Sequence, residues 1–278
     1  MPATTRRGAG RAPRATRAKP APLDFEPRPT TLLGRTALVT GSTKGLGRAI
    51  ALALGAAGCK VALNYAGDKE QAEATFADFA MRGYEGALFR ADVTSEKQVP
   101  KLCAQVEKKL GRIDILVPNA TPAQPQMPFE EYDWAFHQQM IDFFLKSPVL
   151  LTRAVLPAMK RRRFGRIVNI GSEVFRRGVP NFAPYVAAKG AQTGWTRSMA
   201  SELAPFGITV NMVSPGWIPV ERHAKDPKSL KDAYLAGIPA GRWGVPGDVG
   251  GVVAFLASDA AAFVTGQDLA VNGGVTVN

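Results

Sequence analysis

The chain is 278 residues long and 46% hydrophobic, and its Lys and Arg outnumber Asp and Glu to give a net charge of +12. Such a chain can bury one large α/β core, while its longest apolar runs, residues 50–57 and 250–257, are far too short to cross a bilayer. The N-terminus lacks the apolar core of a signal peptide and no Cys/His spacing suits a metal, so the composition points to a cytoplasmic protein with no membrane association and no metal site.

Seven basic residues between Arg6 and Arg28 face only Asp24 and Glu26 in the first 30 positions. This Ala-, Pro- and Arg-rich stretch has little to bury, and a disordered tail is expected over 1–32: a solvated arm, an address signal or a tether to an anionic surface. The remaining positive charge is scattered apart from residues 160–163, without interleaved aromatics, so specific nucleic-acid recognition is not expected. From residue 33 onward, β-branched runs at 36–40, 60–65, 86–90, 113–118, 166–170, 208–214 and 268–271 read as strands. Segments of helical period lie between them, among them 69–82, 95–110, 131–162 and 184–203. Alternation of this kind requires crossover connections and hence a parallel sheet covered on both faces. The expected fold is α/β, a doubly wound Rossmann-type parallel sheet of about seven strands in a single domain over 33–278. Cys59 and Cys103 lie in apolar contexts and read as buried small hydrophobes of a reducing compartment.

Directly after the first strand, TGSTKGLGRAI places Gly41, Gly45 and Gly47 where a strand turns sharply into a helix whose first amides can face a pyrophosphate. The second strand ends in ALNYAGD, with Asn64 and Tyr65 and no acid before Asp68. A carboxylate at that end is what would select an unphosphorylated ribose, and Lys44 inside the loop either reaches a 2′-phosphate or is merely solvated; on balance NADP(H) is favoured over NAD(H). Further along, Tyr185 and Lys189 are four apart on a helix and share a face. An ammonium beside a phenol, together with the positive ring of an oxidised nicotinamide, brings the phenol's pKa down toward neutrality. Ser172 follows the fifth strand, at the strand ends where open α/β sheets place their crevice, and its hydroxyl can hold a substrate oxygen.

The spacing TGxxxGxG resembles the cofactor loop of the short-chain dehydrogenase/reductase family, and the likeness runs from about Leu33 to Asn278. It includes Asp92 in ADVT, Asn119 in PNA, Ser172, YVAAK, SPG at 214–216 and VNGG near the C-terminus. By overall pattern the nearest branch is that of 3-oxoacyl-[acyl-carrier-protein] reductases and related sugar, polyol or ketone dehydrogenases. The resemblance implies hydride transfer between a nicotinamide and a carbonyl or secondary alcohol. Tyr185 would be the general acid in reduction, Ser172 would polarise the carbonyl, and Lys189 would also bind the nicotinamide ribose. It further implies cofactor contacts from Gly41, Ser42, Thr43, Lys44, Gly45, Leu46 and Gly47. Asn64, Tyr65, Asp92, Val93, Asn119 and Ala120 would add others, with Pro215, Gly216 and Ile218 at the carboxamide.

Residues 217–243 correspond to the family's mobile lid, and Trp217, Gln124, Gln126, Met127 and Phe129 are candidates to line the substrate pocket; His223 reads as a polar loop residue. Arg176 and Arg177 read either as a solvated pair or as an attractor for an anionic substrate or a phosphopantetheine arm. The implied partner is a small carbonyl or alcohol, free or carried on an acyl carrier protein or CoA. The implied assembly is a homotetramer through 131–162 and 184–203, with apolar stripes at Phe143, Leu150, Leu151, Val155, Trp195 and Met199. Three positions depart from the pattern: Phe144 replaces an Asn that anchors a proton-relay water, Thr121 a glycine and Val220 a threonine. Phe144 also supports an alternative, a cofactor-binding redox sensor or scaffold with weak catalysis.

Overall fold

The structure, a computed structural model, describes residues 26–277. The tail expectation therefore lies, up to residue 25, outside the described residues. The folded unit begins before the expected boundary at 33. Leu32 is 1% exposed within the core, its N–H donates to Ala57 O at 2.8 Å, and Pro29 O accepts from Ala260 N.

Seven parallel strands form one sheet in the order β3-β2-β1-β4-β5-β6-β7. They are β1 (Thr36–Val39), β2 (Lys60–Tyr65), β3 (Gly86–Arg90), β4 (Ile115–Val117), β5 (Gly165–Ile170), β6 (Ile208–Pro215) and β7 (Asp268–Val271). The helices that link them are α1 (Gly45–Ala56), α2 (Lys69–Met81), α3 (Gln98–Leu110), α4 (Trp134–Ile141), α5 (Ser147–Arg162), α6 (Val174–Arg177), α7 (Ala183–Leu203), α8 (Lys228–Ala236) and α9 (Pro246–Ala257). Because successive strand residues point to opposite faces, Ala37 and Val39 of β1 join one core with α1 and α9, while Leu38 joins another with α3, α5 and α7. Burial on both faces explains why these strands read as continuous apolar runs.

The segment 131–162, expected as one helix, is interrupted between α4 and α5 by a π-helical turn at Asp142–Lys146. The extra residue in such a turn re-aims side chains, and these turns recur at functional sites. Here Phe144 points inward and joins a small apolar cluster with Met140, Phe182, Tyr185 and Ala188. Asp114, just before β4, is buried and ties the lower sheet together: it accepts from Thr36 N at 3.2 Å and pairs with Arg162 at 3.3 Å.

On the other side of the sheet Phe79 of α2 is fully buried, edge-on to Tyr84 at 5.3 Å. Glycines at 55 and 86 make its room, since a Cβ there would come within 2.9 and 3.0 Å of the Phe79 ring. Phe79→Ala is expected to cost about 3–5 kcal/mol through lost burial and the remaining cavity, read as a lower urea midpoint with an unchanged slope.

Candidate active site

The strand order reverses between β1 and β4, so the loops that follow these strands splay apart and open a crevice. A cavity of about 620 Å³ lies there, lined at one end by the glycine loop and at the other by Ser172, Tyr185 and Lys189. Asn119, following β4, pins the loop: its Nδ2 donates to Thr40 O at 2.9 Å and to Gly41 O at 3.1 Å. A Cβ at Gly47 would collide with Gly41 O and Asn119 Nδ2, which is why the helix can start this close to the loop only with glycine there. At the start of α1 the Gly45 N–H donates to a carboxylate oxygen of Glu221 at 3.1 Å. This exposed helix terminus thus already accommodates an anion, as a pyrophosphate cradle must.

Ser172 follows β5, and Tyr185 and Lys189 project from the first two turns of α7. Tyr185 is buried against Phe144, edge-on at 5.1 Å, and Phe182 at 4.8 Å. Burial raises its phenol pKa, opposed by the Ser172 side chain and by the charge of Arg222. Lys189 is 3% exposed. Its Nζ donates to Ile170 O at 2.6 Å and to Gln192 Oε1 at 3.1 Å, and sits 3.8 Å from the centre of the Phe144 ring. Burial pushes the ammonium well below its ordinary pKa, Arg222 adds in the same direction and Asp268 opposes. Each group is thereby biased toward its neutral form, the phenol to keep its proton and the ammonium to release one.

The chain is similar to known proteins. A family model described as Enoyl-(Acyl carrier protein) reductase matches residues 41–276. The 3-oxoacyl-[acyl-carrier-protein] reductase FabG of Staphylococcus epidermidis is 40% identical over 245 residues, covering 87% of this chain and 99% of its own. The chain belongs to the short-chain dehydrogenase/reductase family. The 3-oxoacyl-[acyl-carrier-protein] reductase of a Synechocystis species is 39% identical over 252 residues, covering 89% of this chain and 99% of its own. A solved gluconate 5-dehydrogenase from Burkholderia cenocepacia, in complex with NADP and tartrate, superposes with a TM-score of 0.82 at 34% identity, covering 88% of this chain and 96% of its own. Membership makes the protein a nicotinamide-dependent oxidoreductase acting on a carbonyl or its secondary alcohol.

Most of the residues expected at the cofactor do line the cavity: Gly41, Thr43, Lys44, Gly45, Leu46, Gly47, Asn64, Tyr65, Asp92, Val93, Asn119, Ala120, Pro215 and Gly216. Two expected residues do not. Ser42 is fully buried beneath the loop, its Oγ donating to Val39 O at 2.8 Å and accepting from Asn64 N at 3.0 Å. Ile218 belongs to the core and lines a separate cavity of about 470 Å³ with Trp217 and Tyr234. Trp217 therefore braces the lid, edge-on to Tyr234 at 5.4 Å and to Trp243 at 5.8 Å. Gln126, Met127 and Phe129 also stay out of the catalytic cavity, whereas Gln124 lines it. Arg176 and Arg177 are not a solvated pair: the first holds Asp268 at 3.0 Å and the second Glu173 at 2.8 Å.

Sequence reading missed four contributors. Gln192 is 1% exposed; a polar residue three positions after Lys189, on the same helix face, was the available signal. Arg90 pairs in register with Tyr65 and donates through Nε to Ala66 O at 3.0 Å, which places a cation beside the end of β2. Glu173, next to Ser172, is buried and accepts from Tyr234 at 2.7 Å, tying the lid to the strand ends. Arg222, within residues 217–243, brings its charge to bear on Tyr185 and Lys189.

Gln192 accepts a hydrogen bond from the charged form of Lys189 and so favours that form. Its replacement by Leu should lower the lysine pKa further. Reduction that depends on the ammonium is present below that pKa and lost above it, so the alkaline limb of the pH–rate profile should move down by about one pH unit. In Gln192→Glu the limb should move up.

Proposed function

We propose that the protein is an NADP(H)-dependent carbonyl reductase, working in reverse as an alcohol dehydrogenase, with Ser172, Tyr185 and Lys189 as its reacting centre. The observation that carries this reading is the placing of Ser172, Tyr185 and Lys189 together in the cavity that begins at the glycine loop, with Lys189 Nζ 5.6 Å from the centre of the Tyr185 ring. When bound, the nicotinamide supplies hydride to the carbonyl carbon. The rest is done by side chains. Ser172 Oγ and Tyr185 OH hold the carbonyl oxygen, and Tyr185, kept protonated by burial, donates its proton as negative charge develops there. The Lys189 ammonium stabilises the phenolate that remains. Its depressed pKa leaves it ready to return a proton. Phe144 cannot hold a relay water, yet its ring face supports the lysine charge, which weakens the case for a catalytically weak sensor.

The donors around the far end of the cavity suit a phosphorylated ribose. Lys44, Tyr65, Ala66 and Gln71 line it, Arg90 reaches Ala66, and the nearby acid Asp68 is committed to capping α2 through Gln71 N at 3.0 Å. NADP in the gluconate 5-dehydrogenase relative supports the same preference. The names of the relatives favour a 3-oxoacyl thioester or a sugar acid as substrate. A homotetramer in the cytoplasm fits the family. Among the described residues no helix is long and apolar enough to cross a membrane. Of the expected interface stripe, Leu151 and Val155 are core residues, and Phe143, Leu150, Trp195 and Met199 remain partly exposed for contact.

Tyr185→Phe should lower the reduction rate by about 10²- to 10⁴-fold while enhanced NADPH fluorescence still reports binding; unchanged turnover would remove Tyr185 from the reaction. Lys44→Glu should weaken NADPH roughly ten-fold or more and leave NADH nearly unaffected, because only the 2′-phosphate loses a cation and gains a repulsive neighbour.

A further inference from the structure

The substrate end of the cavity is almost uncharged. Thr121, Gln124, Phe143, Phe144, Ser172 and Tyr185 line it, and the Lys189 ammonium is already turned onto Ile170 O and Gln192 Oε1. Arg222 is the exception. It lines the same cavity from the 3₁₀ turn Glu221–His223 at the start of the lid.

The surroundings of Arg222 are those of a cation without a counter-charge. Its Nη1 donates to Gln124 Oε1 at 3.4 Å, and its Nε to His223 Nε2 at 3.1 Å. Both partners are neutral, since burial and then the Arg222 charge lower the His223 pKa. The adjacent acid, Glu221, is directed away to the Gly45 N–H. Among the described residues no carboxylate lies within ion-pair distance of Arg222, whereas Arg176 and Arg177 on α6 are both neutralised internally. An arginine left in this condition presents its donor fork to an external anion, and the planar geometry suits a carboxylate. Arg222 and the Gln124 it bonds line the same cavity as Ser172 and Tyr185, so an anion it held would share that cavity with the reacting carbonyl. A phosphate at the far end of a phosphopantetheine arm is many bonds from its thioester carbonyl and does not fit this proximity.

Resting on the reductase reading above, we propose that Arg222 is the recognition group for a carboxylate on the substrate, and that the substrate class is a keto acid, or the corresponding hydroxy acid, with its carboxylate a few bonds from the reacting carbon. Gln124 orients the guanidinium from the facing loop.

Acetoacetate and its methyl ester are a suitable pair of probes, alike in the carbonyl and different in charge. Their binding to the full-length protein with saturating NADP⁺ can be followed by quenching of tryptophan fluorescence, since Trp217 lies 6.0 Å from the His223 ring. The wild type should bind the acid about ten-fold or more tighter than the ester, and Arg222→Gln should reduce that ratio by about 10- to 100-fold. Arg222→Lys should restore part of it. A ratio equal in wild type and Arg222→Gln, or an acid that binds no better than the ester, would overturn the assignment. Turnover with NADPH separates this from the broader reading: efficient reduction of the ester with no preference for the acid defeats the Arg222 assignment alone. Failure of the wild type to reduce any ketone defeats the reductase reading and leaves the binding ratio to decide the carboxylate site.

Discussion

A cation buried beside a phenol is the constraint on which the site depends. Desolvation lowers the pKa of Lys189, and three contacts support its charge: a backbone carbonyl at the end of β5, the amide oxygen of Gln192 one turn further along α7, and the face of Phe144. Each is supplied by a different kind of structure: a strand end, a helix face and a π-helical turn. The ring is the unusual member. It exchanges the usual Asn, a water holder, for a quadrupole that attracts the charge without donating or accepting a proton.

The architecture delivers these groups to one place. Parallel pairing brings the C-terminal ends of β1, β4 and β5 together, so the glycine loop, Asn119 and Ser172 rim one crevice. The length of α7 is secondary. What matters is that Tyr185 and Lys189 occur early in it, in line with the end of β5. Residues 217–243 are held across the strand ends by polar ties: Tyr234 to Glu173, and Glu221 to Gly45. Glu221 and Arg222 are adjacent in sequence and both line the cavity, the first bonded to Gly45 N and the second to Gln124.

Much of this was legible in the sequence because it is written in local signals. Strand runs, the glycine spacing and the Tyr-x-x-x-Lys repeat are each confined to a few residues, and the predicted β2, β3 and β7 match the observed strands. What escaped depends on tertiary geometry. Ser42 reads as a loop residue, but its hydroxyl bridges Val39 O and Asn64 N. The continuous helical period over 131–162 gave no sign of the π-helical turn, since one inserted residue scarcely disturbs the pattern. Arg176 and Arg177 looked like free charge, and only the folded chain sets Asp268 and Glu173 beside them. Arg90, by contrast, is found once the β2–β3 register is known.

The most direct test of the account is an NMR titration of the protein with ¹³Cε-labelled lysine, assigning Lys189 as the resonance missing from Lys189→Arg. The account predicts one lysine that titrates well below the others and whose resonance is perturbed in Phe144→Leu, where the ring face is gone. A Lys189 resonance that titrates with the solvent-exposed lysines would contradict the claim that a buried, caged ammonium organises this site.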